Sequence, residues 1–196
     1  MITAEAFAVQ DEGPVEKGSC VMEPLPVTLR RDDWVVLLGT EWESATPRSE
    51  PPLDIIVGGW MVDEEGKAGP FQPNPSYIPA DEATPTDPVD TLLRRIAAGE
   101  PVGNQLVALI RNSVVEIGCD EQDQPVVDTA PDGVPCVLVA TAEVQKLDVI
   151  ADRWWPVLGS DLPAVVPPGI DILLNANGAA PFRLAADILR NEYRDL

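Results

Sequence analysis

Two kinds of hydrophobic run alternate along this chain, and each predicts a different element. Short blocks apolar on both faces read as strands: Trp34-Val35-Val36-Leu37-Leu38-Gly39 as an interior one, then Asp54 to Asp63, and later Val134 to Ala140. Where apolar residues recur three and four apart the chain reads as helix. Val89, Leu92, Leu93 and Ile96 share one face of such a helix. Asp87 is its cap, Pro88 takes the first helical position, Asp90 faces the positive end of the dipole and Gly99 stops it. Leu106, Leu109 and Ile110 predict a second helix from about Gly103 to Arg111.

The intervening stretches follow from turn residues and prolines. Pro24 to Arg31 suggests one helical turn, and Thr40 to Pro52 a loop. Gly58-Gly59 inside a strand suggests a bulge or a close packing contact. Phe71 to Pro79 must run extended, because Pro73, Pro75 and Pro79 forbid helix. Val114 to Ile117 and Pro125 to Asp128 flank Asp120-Glu121-Gln122-Asp123-Gln124 like the arms of a hairpin. Pro131-Asp132-Gly133 is a turn, and Thr141 is placed to cap a helix carrying Val144, Leu147 and Ala151. Trp154 to Leu158 reads as an edge strand, since Pro156 has no N–H for a central ladder. A short helix from Ser160 to about Pro167, a strand from Ile170 to Leu174, a turn at Asn175 to Gly178 and a last helix after Phe182 complete the chain. Strands and helices so interspersed predict an α+β fold, with mixed, largely antiparallel sheets, short flanking helices and proline-rich loops. We expect a mobile acidic arm over residues 1–24, then units over 25–100 and 101–196 packed as one body.

Composition narrows the chemistry. Acids outnumber bases 33 to 13 for a net charge of −20, and the excess is spread over both halves. That charge repels nucleic acid and anionic lipid and suits a basic protein partner. No stretch approaches the roughly 20 apolar residues of a membrane span. The first residues lack the basic and apolar regions of a secretory signal, so a cytoplasmic protein with no membrane insertion is expected. Cys20, Cys119 and Cys136 lie too far apart for zinc-ligand spacing and are odd in number. Histidine is absent, which removes the commonest general base and the usual triads. No glycine-rich phosphate loop follows a strand. Asp63-Glu64-Glu65 and Asp120 to Asp123 could offer oxygens to calcium, yet both sit at expected hairpin turns without the twelve-residue loop. The expectation is therefore a non-enzymatic chain with no catalytic residue, cofactor or metal.

The candidate interaction residues are Trp154 and Trp155. Neighbours on a strand face opposite sides, so one indole of the pair is left to a surface. The expectation assigns Trp155 to the core and leaves Trp154 partly exposed. Trp60 and Phe71 are expected in the core, and the edge strand that carries the pair would offer unpaired backbone groups to a partner.

Two stretches also resemble known proteins. Gly59-Trp60-Met61-Val62-Asp63, Pro73-Asn74-Pro75-Ser76-Tyr77-Ile78-Pro79 and Pro85-Thr86-Asp87-Pro88-Val89-Asp90 occur in the order seen in actinobacterial type VII secretion system-associated proteins. Leu162-Pro163, Pro168-Gly169-Ile170-Asp171 and Leu173-Leu174-Asn175 resemble the end of an SseB-like domain, although Ala176-Asn177-Gly178 stands where the pattern has Pro-Gly, and Ser76 where it has Asn. The resemblance implies an SseB-like C-terminal half and no catalytic residues. It also implies an accessory or chaperone-like role toward a secreted substrate or secretion component. Two alternatives stand beside it: an immunity protein neutralising a basic toxin domain, and a carboxylate-dependent hydrolase.

Overall fold

The computed structural model describes residues 27–42 and 50–190, so the arm expected over 1–24 lies outside the described residues. The fold is α+β, built on two mostly antiparallel sheets with short helices. Strands β1 (Val27–Arg31), β2 (Trp34–Leu38), β3 (Ile56–Val62) and β4 (Ala68–Pro73) form the first sheet in chain order. The helical turn expected over 24–31 is corrected over its described part, 27–31, which is strand: β1 pairs with β2 from Val27↔Leu38 to Arg31↔Trp34. Asp32, at a φ of 50°, closes the two-residue hairpin between them, and the apolar β2 draws β1 into the ladder. The glycine pair in β3 meets both expectations: the β2–β3 register shifts beside Gly58, where Leu37 pairs with Gly58 and Leu38 with Ile56, and the pair is also a packing contact. A Cβ on Gly58 would lie 2.5 Å from both Gln72 O and the Phe71 ring, so the side chain is given up to seat Phe71. Phe71, Val57 and Tyr77 form a small core there, with Trp60 partly buried against it. Of the extended arm expected over 71–79, only the part through Pro73 is strand; a turn follows at Asn74.

The second sheet contains β5 (Val114–Cys119), β6 (Val127–Thr129), β7 (Pro135–Ala140), β8 (Arg153–Leu158), β9 (Asp171–Leu174) and β10 (Phe182–Leu184). Its order is β10-β9-β7-β5-β8, with β6 also on β7. Every pairing is antiparallel except β7 with β9. The expected hairpin of β5 with the 125–128 segment reduces to one bridge, Cys119↔Pro125, and β6 pairs with β7 instead. The tighter turn at Ala130 to Val134, with Gly133 at φ 85°, decides that choice. Phe182 lies on a short strand that precedes the last helix. The two sheets meet where Phe71 N–H donates to Asn112 O at 2.8 Å beside the Phe71↔Ser113 bridge.

Helices α1 (Pro88–Ala97), α2 (Gly103–Arg111), α3 (Leu162–Val165) and α4 (Ala186–Arg190) complete the chain. Leu93 of α1 and Leu106 and Ile110 of α2 pack with Val115, Ile117, Val137 and Ile172 of the second sheet in the main core. α1 thus belongs with the second sheet, and the body built around that sheet begins before residue 100. Cys136, Leu138 and Leu173 face the other way, into a smaller cluster with Ala130. No helix among the described residues is long and apolar enough to cross a membrane.

Candidate functional site

Two polar or aromatic clusters lie on the second sheet, one closed and one open. The closed one sits where the parallel strands β7 and β9 end beside the start of α1. Asp87 is buried there and caps the helix, its Oδ1 accepting from the N–H groups of Val89 at 2.7 Å and Asp90 at 3.0 Å. Its Oδ2 accepts from the hydroxyls of Thr86 at 2.9 Å and Thr141 at 2.6 Å. Each hydroxyl is fed in turn: Gln145 Nε2 donates to Thr86 Oγ1, and Asn175 Nδ2 to Thr141 Oγ1, both at 2.9 Å. Asn175 Oδ1 accepts the Thr141 N–H at 3.0 Å. Two hydroxyls and two N–H groups therefore converge on the Asp87 carboxylate, with Gln145 and Asn175 behind the hydroxyls.

This arrangement explains why Thr141 caps no helix. The segment after it is only a 3-10 turn over Glu143–Lys146, and the Thr141 side chain is committed to Asp87 and Asn175. The outer end of a parallel strand pair beside a helix N-terminus is where α/β folds commonly bind anions. Here the chain's own carboxylate fills that position. Burial pushes the Asp87 carboxyl above the usual carboxylate range and the charge of Asp90 adds to this, against the lowering by the Thr141 and Asp90 hydrogen bonds. Asp90, equally buried, is paired with Arg94 at 2.9 Å, while its Oδ1 has no hydrogen-bond partner. Arg94 also donates to the carbonyls of Glu82 and Ala83, tying the proline-rich loop to α1.

The open cluster is at β8, the outer strand of the sheet beyond β5. Its register pairs Ile117 with Trp155 and Gly118 with Trp154. Trp155 therefore shares the face of Ile117, on which the helices pack, whereas Trp154 points to the opposite face. The expected assignment of the pair is reversed: Trp155 is 50% exposed, and Trp154 is the half-buried one. The helices over Ile117 cover half-buried Val157 but do not reach Trp155 at the rim. Trp154 lies on Gly118, where an added Cβ would come 3.5 Å from the indole. Lys146 Nζ stands 5.8 Å from that ring and is itself held by Glu116 at 2.8 Å and Glu143 at 2.6 Å.

Beside Trp155 is an open recess of about 330 Å³ lined by Ile117, Cys119, Pro125, Val157 and Val165. Asp123 contributes its one carboxylate, which bonds Arg153 at 2.7 Å. Burial pushes the Cys119 thiol up, with Asp123 and Asp120 adding to it, so it lines the wall as an un-ionised thiol. Neither acidic turn is arranged as a cage. Asp63 Oδ1 accepts from the N–H groups of Glu65 and Lys67, and Asp120 Oδ1 from those of Gln122 and Gln124. Among the described residues no group of three or more ligand side chains could hold a metal ion.

Sequence reasoning singles out Trp155 and Thr141 but neither the recess beside the one nor the bond of the other to Asp87. The available signal for the latter was a polar residue breaking each of two buried runs, Thr141 after β7 and Asn175 after β9. No family model, characterised protein or solved structure compared with the chain matches it.

Proposed function

We propose that this chain is a non-enzymatic protein-binding accessory or chaperone-like protein of a type VII secretion system, acting in the cytoplasm. The observation that carries the binding part is Trp155. It is a half-exposed indole at an outer strand, over an apolar recess, on a chain of net charge −20. Tryptophan anchors beside apolar pockets are where interface energy concentrates. The secretion part rests on the resemblance of residues 59–90 and 162–175 to secretion-associated and SseB-like proteins. The non-enzymatic part is supported by the buried carboxylates, since Asp87 has both oxygens occupied and Asp90 is turned to Arg94.

Affinity capture of the full chain from an actinobacterium running type VII secretion tests the reading. Secreted substrates or secretion components should be retained by wild type and lost from Trp155→Ala. Capture that ignores the substitution would remove Trp155 from the site. The charge favours one second reading, immunity against a basic toxin domain; a captured toxin domain would select it.

A further inference from the structure

Resting on that protein-binding reading, we propose how the partner is held: β8 accepts an extended, basic segment as an added strand, with an apolar side chain of that segment seated in the recess beside Trp155. The backbone geometry points this way. Gly159 N–H donates to Ser113 O at 2.9 Å, and the β5–β8 register runs unbroken from Val114↔Leu158 to Cys119↔Arg153. In an antiparallel ladder, alternate residues turn their backbone groups toward the neighbour. Trp155 and Val157 therefore face β5, while Trp154, Pro156 and Leu158 turn their backbone groups outward. Pro156 is tolerated because its missing N–H falls on the open side. The outer edge thus offers the N–H groups of Trp154 and Leu158 and the carbonyls of all three residues, with no strand of the described residues upon it.

Side chains select the occupant. In strand addition the main chain supplies affinity, and pockets for alternate side chains supply specificity. The recess opens on the Trp155 face and is apolar apart from Asp123. Asp120, Asp123 and Asp152 gather near the start of β8, where Asp152 N–H bonds Cys119 O, and Asp161 follows its end. Arg153 is already held by Asp123. An incoming strand that seats its apolar residues on the recess face turns alternate, basic residues to the Trp154 face, where the two carboxylates of Glu116 and Glu143 outnumber the one cation of Lys146. The remaining edges suit it less. β1 carries Arg30 and Arg31, and β6 and β10 span three residues each, with Arg183 of β10 bonded to Asp132 and Asp171.

The test uses the full chain and a capped ten-residue peptide alternating valine with lysine. Companion peptides replace lysine by glutamate, or carry N-methyl groups on all the valine or all the lysine nitrogens. Binding is followed by backbone amide chemical shifts. The basic peptide should shift Trp154 and Leu158 amides most, and its affinity should fall at least tenfold with Trp155→Ala and with glutamate for lysine. One N-methylated peptide should lose binding and the other keep it, because only one set of N–H groups faces β8. Loss or retention by both, shifts centred on β1, or no binding at millimolar peptide would overturn strand addition. Any of these alongside Trp155-dependent capture from cells would leave the protein-binding reading standing.

Discussion

The second sheet is finished in opposite ways at two places. Where β7 and β9 end, Thr86, Gln145, Thr141 and Asn175 direct their hydrogen bonds inward, and the Asp87 carboxylate fills the position an anionic ligand would take. At β8 the backbone groups of alternate residues turn outward, and Trp155 is left half in solvent beside an apolar recess. The closed place uses polar chemistry to join α1 to the sheet; the open place leaves apolar and backbone groups unused. At these two places polarity joins elements of the fold, and the uncovered apolar strand is the surface proposed for a partner.

The largest expected effect comes from opening the closed place. Asp87→Ala removes a helix cap and leaves the hydroxyls of Thr86 and Thr141 and the N–H groups of Val89 and Asp90 without their acceptor, at a cost of about 3 kcal/mol. Urea unfolding measures it; a loss under about 1 kcal/mol would mean that capping alone is at stake. The tryptophans come next. Trp154→Ala strips the cover from Gly118 and should cost about 2 kcal/mol, about half of what a fully buried tryptophan costs. Trp155→Ala should stay within about 1 kcal/mol of wild type, as surface substitutions do. The same melts, run side by side, would erase the distinction between the two faces if the order were reversed.

The smallest effect is in pH. The folded Asp87 carboxyl lies above its ordinary value, so its contribution is fully present below about pH 3.9 and is lost as pH rises through the folded value. Asp87→Asn cannot titrate. The stability of wild type relative to this variant should therefore fall as pH increases above the ordinary carboxylate range. A relative stability that rises over that interval would show the carboxyl to be depressed and the hydrogen bonds to outweigh burial.

α1 was legible because its signals are local: Asp87, Pro88, the apolar face and Gly99 all lie within one short stretch, and each acts on its immediate neighbours. The α+β class followed from the same short-range periods. The closed junction was not legible, since Thr141 meets Asp87 across 54 residues and nothing local announces a pairing at that range. The tryptophan pair shows the limit most sharply. Alternation correctly puts Trp154 and Trp155 on opposite faces, but which face is covered depends on the register with β5 and on how far the helices extend. β1 was misread for the same reason, because a hairpin partner overrides a weak local pattern.

Residue-resolved amide hydrogen exchange on the free protein tests the contrast most directly. The amides of Val89, Asp90 and Thr141 are bonded to buried side chains and should exchange among the slowest in the molecule. On β8 the rates should alternate, with Trp155 and Val157 protected by β5 and Trp154 and Leu158 exchanging close to the rate of an unstructured chain. Protection of Trp154 and Leu158 equal to that of Trp155 and Val157 would mean that the edge is covered, and would contradict an open β8.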